Sequence, residues 1–355
     1  MFKKTIGVVL VLFVIIVIWF VNLLWSAGQF KTIEPHFDGT CKQILGLTGA
    51  EDITIHPKTG VAYISTCDRR AVAAGKAGMG GIYAYNLNAP DSVLFNLTSN
   101  MGEDFQPHGI SLYVDSNGKD FLFAINHAKG RHTVEVFELI GILLYHTKTI
   151  SDPMLVSPND LVAVGPNSFY VSNDHGNASG IMRVMEDYLK LPLSNVVYYD
   201  GSRFSEVASG IKYANGINVS SDGKTLYLCS VTGLSLHLYD RELSSGRLHL
   251  REKIKLNTGV DNIEMDSSGG LWIGAHPRLL DFVAHASDPS RLSPSQILYL
   301  SPKSSGGFDI TEVYLNKGDE LSASSVAAVR GKRMLIGGVF DPKFLDCQMG
   351  EEGSE

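Results

Sequence analysis

A chain of 355 residues with 44% hydrophobic and 19% charged side chains has globular composition and ample material for a core. Its formal net charge of −7 argues against nucleic acid as a partner, because phosphate binding needs a basic face. The 36 glycines fall mostly between short apolar runs, the pattern of an all-β protein with many turns.

The first predicted element is apolar. Lys3 and Lys4 precede Ile6 to Trp25, 20 residues whose one polar side chain is Asn22. That length crosses a bilayer as a helix and exceeds the roughly 7–15 apolar residues of a cleavable signal peptide. Residues 1–28 are therefore expected to be a signal anchor, with cleavage near Ser26-Ala27-Gly28 as the alternative. In both cases the lysines stay cytoplasmic. Residues 29–350 are then exported, to an extracellular, periplasmic or luminal space, and residues 351–355 read as a disordered tail.

Export changes the meaning of the cysteines, because disulfides persist in oxidising compartments. Pairing does not follow from sequence alone. Cys41 and Cys347 lie near the two ends of the exported part and are the natural pair in any fold that brings its termini together. Such a bridge would stabilise by about 5 kcal/mol on the chain-entropy argument. Cys67 and Cys229 each end an apolar strand-like run and read as buried free thiols.

From Glu51 onward the chain repeats one plan six times: a polar pair, an apolar alternation, a turn and a second apolar strand. The units begin at Glu51, His108, Asn159, Asn215, Asp261 and Ser324, 46 to 63 residues apart. Each reads as a β-hairpin. Runs such as Ile82–Leu87 and Val134–Leu139 supply further strands between them. About four strands per repeat make a propeller blade, so the expected fold is a six-bladed β-propeller. Two stretches depart from the plan. Arg69–Gly80, rich in Ala and Gly, reads as a long flexible loop. Met185–Leu191 reads as a short helix ended by Pro192 and followed by a strand.

The polar pairs carry the chemistry. Their first members are Glu51, His108, Asn159, Asn215, Asp261 and Ser324; their second are Asp52, Gly109, Asp160, Gly216, Asn262 and Ser325. Asn, Asp and Ser often begin strands because they satisfy local backbone groups. That accounts for one or two of them, not for oxygen-bearing groups at nearly every blade of a ring. Glu51 and Asp261 with Asn159, Asn215 and Asn262 form a hard oxygen set, which selects calcium over zinc. Asp52 and Asp160, as chain neighbours of that set, point to the other side and toward a second, deeper cation. Without cations, several carboxylates in one channel would repel strongly.

At these residues the sequence resembles the paraoxonase family, from Cys41 to Cys347. The matching stretches include Glu51-Asp-Ile, Gln106-Pro-His-Gly-Ile-Ser, Ile125-Asn-His, Pro158-Asn-Asp-Leu, Ser172-Asn-Asp-His, Ala214-Asn-Gly-Ile-Asn, Val260-Asp-Asn-Ile and Ala275-His-Pro. The resemblance implies a six-bladed propeller with two Ca2+ ions, hydrolysing lactones and aryl esters and in some members organophosphates. It implies a catalytic calcium on Glu51, Asn159, Asn215, Asp261 and Asn262. It implies a structural one on Asp52, Asp160 and the carbonyl of Ile110. It also implies a Cys41–Cys347 bridge, a His108–His127 dyad, and His276 beside the pocket behind the ligands.

In this scheme the calcium polarises the substrate carbonyl, and His108 takes a proton from water with His127 orienting it or passing the proton on. Glu51 or Asp261 is the alternative base, and a hydrogen-bonded core residue the alternative role for His127. The sequence departs from the family at Ala275, where a free cysteine is common, and in the 69–80 loop. The lipid-binding helix of the family appears as a segment carrying Lys190 and Pro192. Asn96, Asn177 and Asn218 begin glycosylation sequons. Other readings of a propeller are a scaffold with structural calcium, a sugar-lactone hydrolase, and a carbon–carbon-forming enzyme. Propellers host many functions; an imidazole among oxygen ligands favours the hydrolase.

Overall fold

The computed structural model describes residues 2–89, 92–128 and 131–350, with side chains from residue 5 onward; the predicted tail, 351–355, lies outside the described residues. Helix α1 (Phe2–Ser26) contains an apolar span, Thr5–Ser26, exposed along most of its length and buried near its end at Leu23. Six antiparallel sheets follow. Blade 1 shows the plan: Ala50–Ile55, Val61–Thr66, Gly81–Asn86 and Phe95–Asn96, hydrogen-bonded in that order. The apolar alternation forms strands because β-branched and aromatic side chains pack well on a pleated sheet. The turn after Ile55 closes through Gly60, whose φ of +69° lies in the left-handed region where a Cβ is strained.

The core is not one mass. It lies between the faces of successive blades, as where Ile53 and Ile64 of blade 1 pack on Val326, Leu335 and Phe344 of blade 6. The innermost strands are Ala50–Ile55, Pro107–Val114, Pro158–Gly165, Ala214–Val219, Gly259–Met265 and Ser324–Arg330. In every blade the first strand of the repeat is the inner one, as the repeat predicts.

Closure comes from both ends of the propeller. Gly39–Leu45 joins blade 6 as its outer strand, pairing with Lys343–Met349. Cys41 faces Cys347 across that pair and the two form a disulfide spanning 306 residues. The bridge ties down the seam of the ring, where closing so long a loop is entropically most costly. Cys67 and Cys229 are buried free thiols.

Three helices decorate the same face. The 69–80 segment is not simply a flexible loop: α2 (Arg69–Ala73) begins it, capped by Asp68, whose Oδ1 accepts from Ala71 N at 2.9 Å. Arg70 then ties it to the carbonyls of His285, Ala286 and Phe340. The Ala/Gly composition concealed this cap and anchor. Helix α3 (Ile181–Leu189) starts four residues earlier than the expected Met185 and ends before Pro192. Helix α4 (Leu279–Ser287), within blade 5, has no counterpart in the sequence reading.

Candidate metal centre and active-site cavity

A single irregularity recurs in all six blades. The register between inner and second strand slips between Ala50 and Asp52, Pro107 and Ile110, Pro158 and Asp160, Ala214 and Ile217, Val260 and Ile263, and Ser324 and Val326. These slips fall on the polar pairs. A bulge leaves residues unpaired and re-aims their side chains, so each blade turns its polar pair out of the ladder and toward the channel. Glycine at the second position allows the close approach this needs. A Cβ on Gly109 would stand 2.4 Å from Asp160 Oδ1, and one on Gly216 would stand 2.3 Å from the Asp261 carbonyl oxygen.

Adjacent residues of a pair then face opposite ends of the channel. Glu51, His108, Asn159, Asn215 and Asp261 line a cavity of about 430 Å³ at the strand starts. Asp52, Ile110 and Asp160 line another of about 660 Å³ at the far end. Asn262 stays buried beside Glu51, its Nδ2 donating to Glu51 Oε1 at 2.9 Å. Ser325 Oγ donates to the Glu51 carbonyl at 2.6 Å, whereas Ser324 is engaged with Gln296 of blade 5. The sixth blade thus holds the site rather than lining it. Asn218 of one sequon lines the far cavity and donates to the Ile263 carbonyl, so its amide nitrogen is engaged.

The two ends differ in how their oxygens are satisfied. At the first end, Glu51 Oε2, Asn159 Oδ1, Asn215 Oδ1 and Asn262 Oδ1 are buried with no hydrogen-bond partner among the described residues. The nitrogens nearest Glu51 Oε2 are Arg69 Nη2 and His108 Nε2, each at 3.5 Å. Buried unpaired oxygens cost about 1–3 kcal/mol each, so four of them converging from four blades require a ligand. All are hard oxygens, as calcium coordination demands. At the far end neither carboxylate is orphaned: Asp52 accepts from Ile53 N and Ile110 N, and Asp160 from Leu161 N and Ile217 N, all within 2.7–2.9 Å. Each of these carboxylates joins its own blade to the next one bearing a backbone amide.

Charge points the same way. Burial and then repulsion by Glu51 push Asp52 well above the usual carboxylate range, and burial and then Asp52 do the same to Asp160. Burial raises Asp261 despite the His276 contact. Glu51 alone is held low: burial opposes its charge, but His108, Arg69 and Asn262 outweigh it. A divalent cation in the channel would remove the penalty on Asp52, Asp160 and Asp261.

The histidines are arranged in line. His108 Nδ1 lies 2.8 Å from His127 Nε2, and His127 Nδ1 lies 2.8 Å from His132 Nδ1. His276 lines the same cavity, its Nε2 2.8 Å from Asp261 Oδ2. The sequence reading missed His132, Arg69 and Asp174. A signal existed for Asp174: in five blades the residue after the second strand (Cys67, His127, Asp174, Val231, Val339) donates its amide to the segment just before the inner strand.

The cavity wall on the other side is apolar and is built partly by α1. Leu23 and Ala27 line it, with Leu280 and Val283 of α4 and Phe340. The helix end is docked, not loosely tethered: the Ala27 carbonyl accepts from Leu279 N at 2.9 Å, Lys190 Nζ contacts Ser26 Oγ, and Lys31 Nζ donates to the Asn257 carbonyl at 2.6 Å. Helix α3 beside it leaves Ile181, Met182, Val184 and Leu189 exposed.

Comparison with known proteins finds relatives over most of the chain. The sequence profile described as Arylesterase matches residues 30–349. "Serum paraoxonase/arylesterase 2" of Rattus norvegicus is 35% identical over 320 residues, covering 87% of this chain and 88% of the relative. "Serum paraoxonase/arylesterase 1" of Homo sapiens is 33% identical over 345 residues, covering 91% and 92%. Among solved structures, a gluconolactonase of Xanthomonas campestris superposes with a TM-score of 0.56 at 14% identity, covering 90% of this chain and 95% of that one. At that identity the likeness shows the fold alone.

Proposed function

The chain belongs to the arylesterase (paraoxonase) family, and from that premise we propose that it is a calcium-dependent hydrolase of lactones and aryl esters. The observation that carries the calcium is the set of four buried, partnerless oxygens on Glu51, Asn159, Asn215 and Asn262, completed by the carboxylate of Asp261. A calcium ion bound there supplies Lewis-acid polarisation of the scissile carbonyl and stabilises the charge that develops on its oxygen. A second ion between Asp52, Asp160 and the Ile110 carbonyl would relieve the repulsion that raises both carboxylates.

The protein groups do the rest. His108 presents Nε2 to the cavity, 3.5 Å from Glu51 Oε2, and accepts a proton from the attacking water. With Nδ1 protonated and donating to His127 Nε2, 2.8 Å away, the ring keeps Nε2 free as a base. The apolar wall of Leu23, Leu280, Val283 and Phe340 receives the acyl or aryl part of the substrate and keeps water from the carbonyl except at His108. A scaffold has no use for an imidazole presented in this way.

The docked end of α1 supports an uncleaved anchor. Residues 5–26 cross the bilayer, and the cavity mouth, bordered by α1 and by the exposed apolar side chains of α3, faces the membrane surface from the exported side. Carboxylic esters and lactones that partition into lipid then reach the site directly.

The reading is tested by phenyl acetate hydrolysis under chelation. Activity falls to background and returns when calcium is added; activity indifferent to chelator sinks the metal role. His108→Gln lowers kcat by about 10²-fold with calcium affinity nearly unchanged, and equal loss of both makes His108 a support of the cage only. A panel of lactones of differing ring and chain length, with an organophosphate triester as a further arm, identifies the preferred substrate.

A further inference from the structure

We propose that His132 is the outer terminus of a proton wire, His108–His127–His132, that connects the cavity to solvent; this rests on His108 being the base. The wire is on the page as two ring-nitrogen contacts of 2.8 Å. Of the three rings only His108 lines the cavity. His127 follows the second strand of blade 2 and His132 precedes its third, Thr133–Ile140, so the line runs outward across one blade. His132 is half-buried, with the buried Asp174 and the Arg183 guanidinium acting on it from blade 3 and α3, and His108 from its own blade.

Two neutral imidazoles, each with one N–H and one lone pair, conduct in one direction at a time. Burial lowers the pKa of His127 well below its ordinary value, with repulsion from His108 and His132 adding to it, and burial also lowers that of His132. Both therefore rest neutral near pH 7. On attack, the water O–H breaks, its oxygen bonds to the carbonyl carbon, and the proton goes to His108 Nε2. The His108 Nδ1 proton moves to His127 Nε2, the His127 Nδ1 proton moves to His132 Nδ1, and the His132 Nε2 proton leaves to solvent. When the C–O bond to the leaving oxygen breaks, the reverse series brings a proton from solvent to that oxygen and restores all three tautomers. The acid product loses its own proton after release.

The proposal is tested in the full-length, calcium-loaded protein with δ-valerolactone in dilute buffer. His132→Ala lowers kcat about tenfold, leaves KM and calcium affinity unchanged, and regains activity as imidazole buffer is added. His132→Asn, which keeps a hydrogen bond to His127 but carries no proton, behaves like the alanine variant. If asparagine restores turnover, or if the alanine variant is indifferent to buffer, His132 only orients His127 and the wire does not exist. Should the alanine variant fail to fold, as read by thermal unfolding, the asparagine variant and its imidazole response decide the matter alone. His108→Gln separates the two readings: full activity in that variant removes the base itself, whereas loss there with neutral His132 variants removes only the wire.

Discussion

The two ends of the channel are built from the same six strand starts, one residue out of step, yet they solve opposite problems. At the cavity end, side-chain oxygens of Glu51, Asn159, Asn215 and Asn262 are buried without partners. At the far end, Asp52 and Asp160 spend every carboxylate oxygen on backbone amides, including those of Ile110 and Ile217 in another blade. The first set is left open for a ligand; the second fastens one blade to the next, and each of its carboxylate oxygens keeps a further lone pair that a cation would use. Chain neighbours such as Asn159 and Asp160 thus differ in what their oxygens already hold.

The contrast can be broken most directly at Glu51. Glu51→Gln removes a charge from the oxygen set without changing its size, and activity at limiting calcium falls about 10³-fold. Saturating calcium recovers part of it, and thermal unfolding of the calcium-free protein barely moves. A variant with wild-type calcium affinity would take Glu51 out of the ligand set. Next in size is a matched pair. Asp160→Ala leaves the amides of Leu161 and Ile217 unpaired and costs about 3 kcal/mol in calcium-free denaturant unfolding. Asn159→Leu removes an orphaned oxygen one residue away and stays within about 1 kcal/mol of wild type without calcium, while losing calcium-induced stabilisation. The opposite ranking would invert the assignment of the two ends.

The smallest effect sharpens the edge of the cavity. Burial alone would lower the pKa of His175, but its bonds to Asp174 and Asp187, at 2.7 and 2.9 Å, raise it to about 9. A raised histidine stabilises fully below its ordinary value of about 6.5, and that contribution is lost as pH rises through the folded value. The stability gap between wild type and His175→Gln, about 2 kcal/mol near pH 6, therefore closes between pH 6.5 and 9. A gap that stays constant over this window would mean that His175 is neutral throughout.

Much of this was legible without coordinates. Period-2 apolar runs between turn residues are a local property, so the blades, their inner strands and the opposite facing of Glu51 and Asp52 follow from the repeat alone. The Cys41–Cys347 pairing followed once the ring was recognised. What the sequence did not disclose depends on contacts between distant segments. The short helix at Arg69 is held by carbonyls of residues 285, 286 and 340, and its Ala/Gly composition carries no sign of them. His132 lies beside His127 because their chain neighbours, Thr133 and Asn126, pair across two antiparallel strands of blade 2. The seating of α1 against α4 was likewise invisible, since a hydrophobic span looks the same whether its end is free or docked.

The sequence by itself determined which chemical groups stand at each strand start and how many blades present them, because both are written in residue type and spacing. Tertiary structure decided which oxygens are left without partners, since satisfaction depends on what the neighbouring blade offers. It also decided which imidazoles form a line, because two nitrogens 2.8 Å apart are a property of ring closure and bulge geometry and not of any single segment.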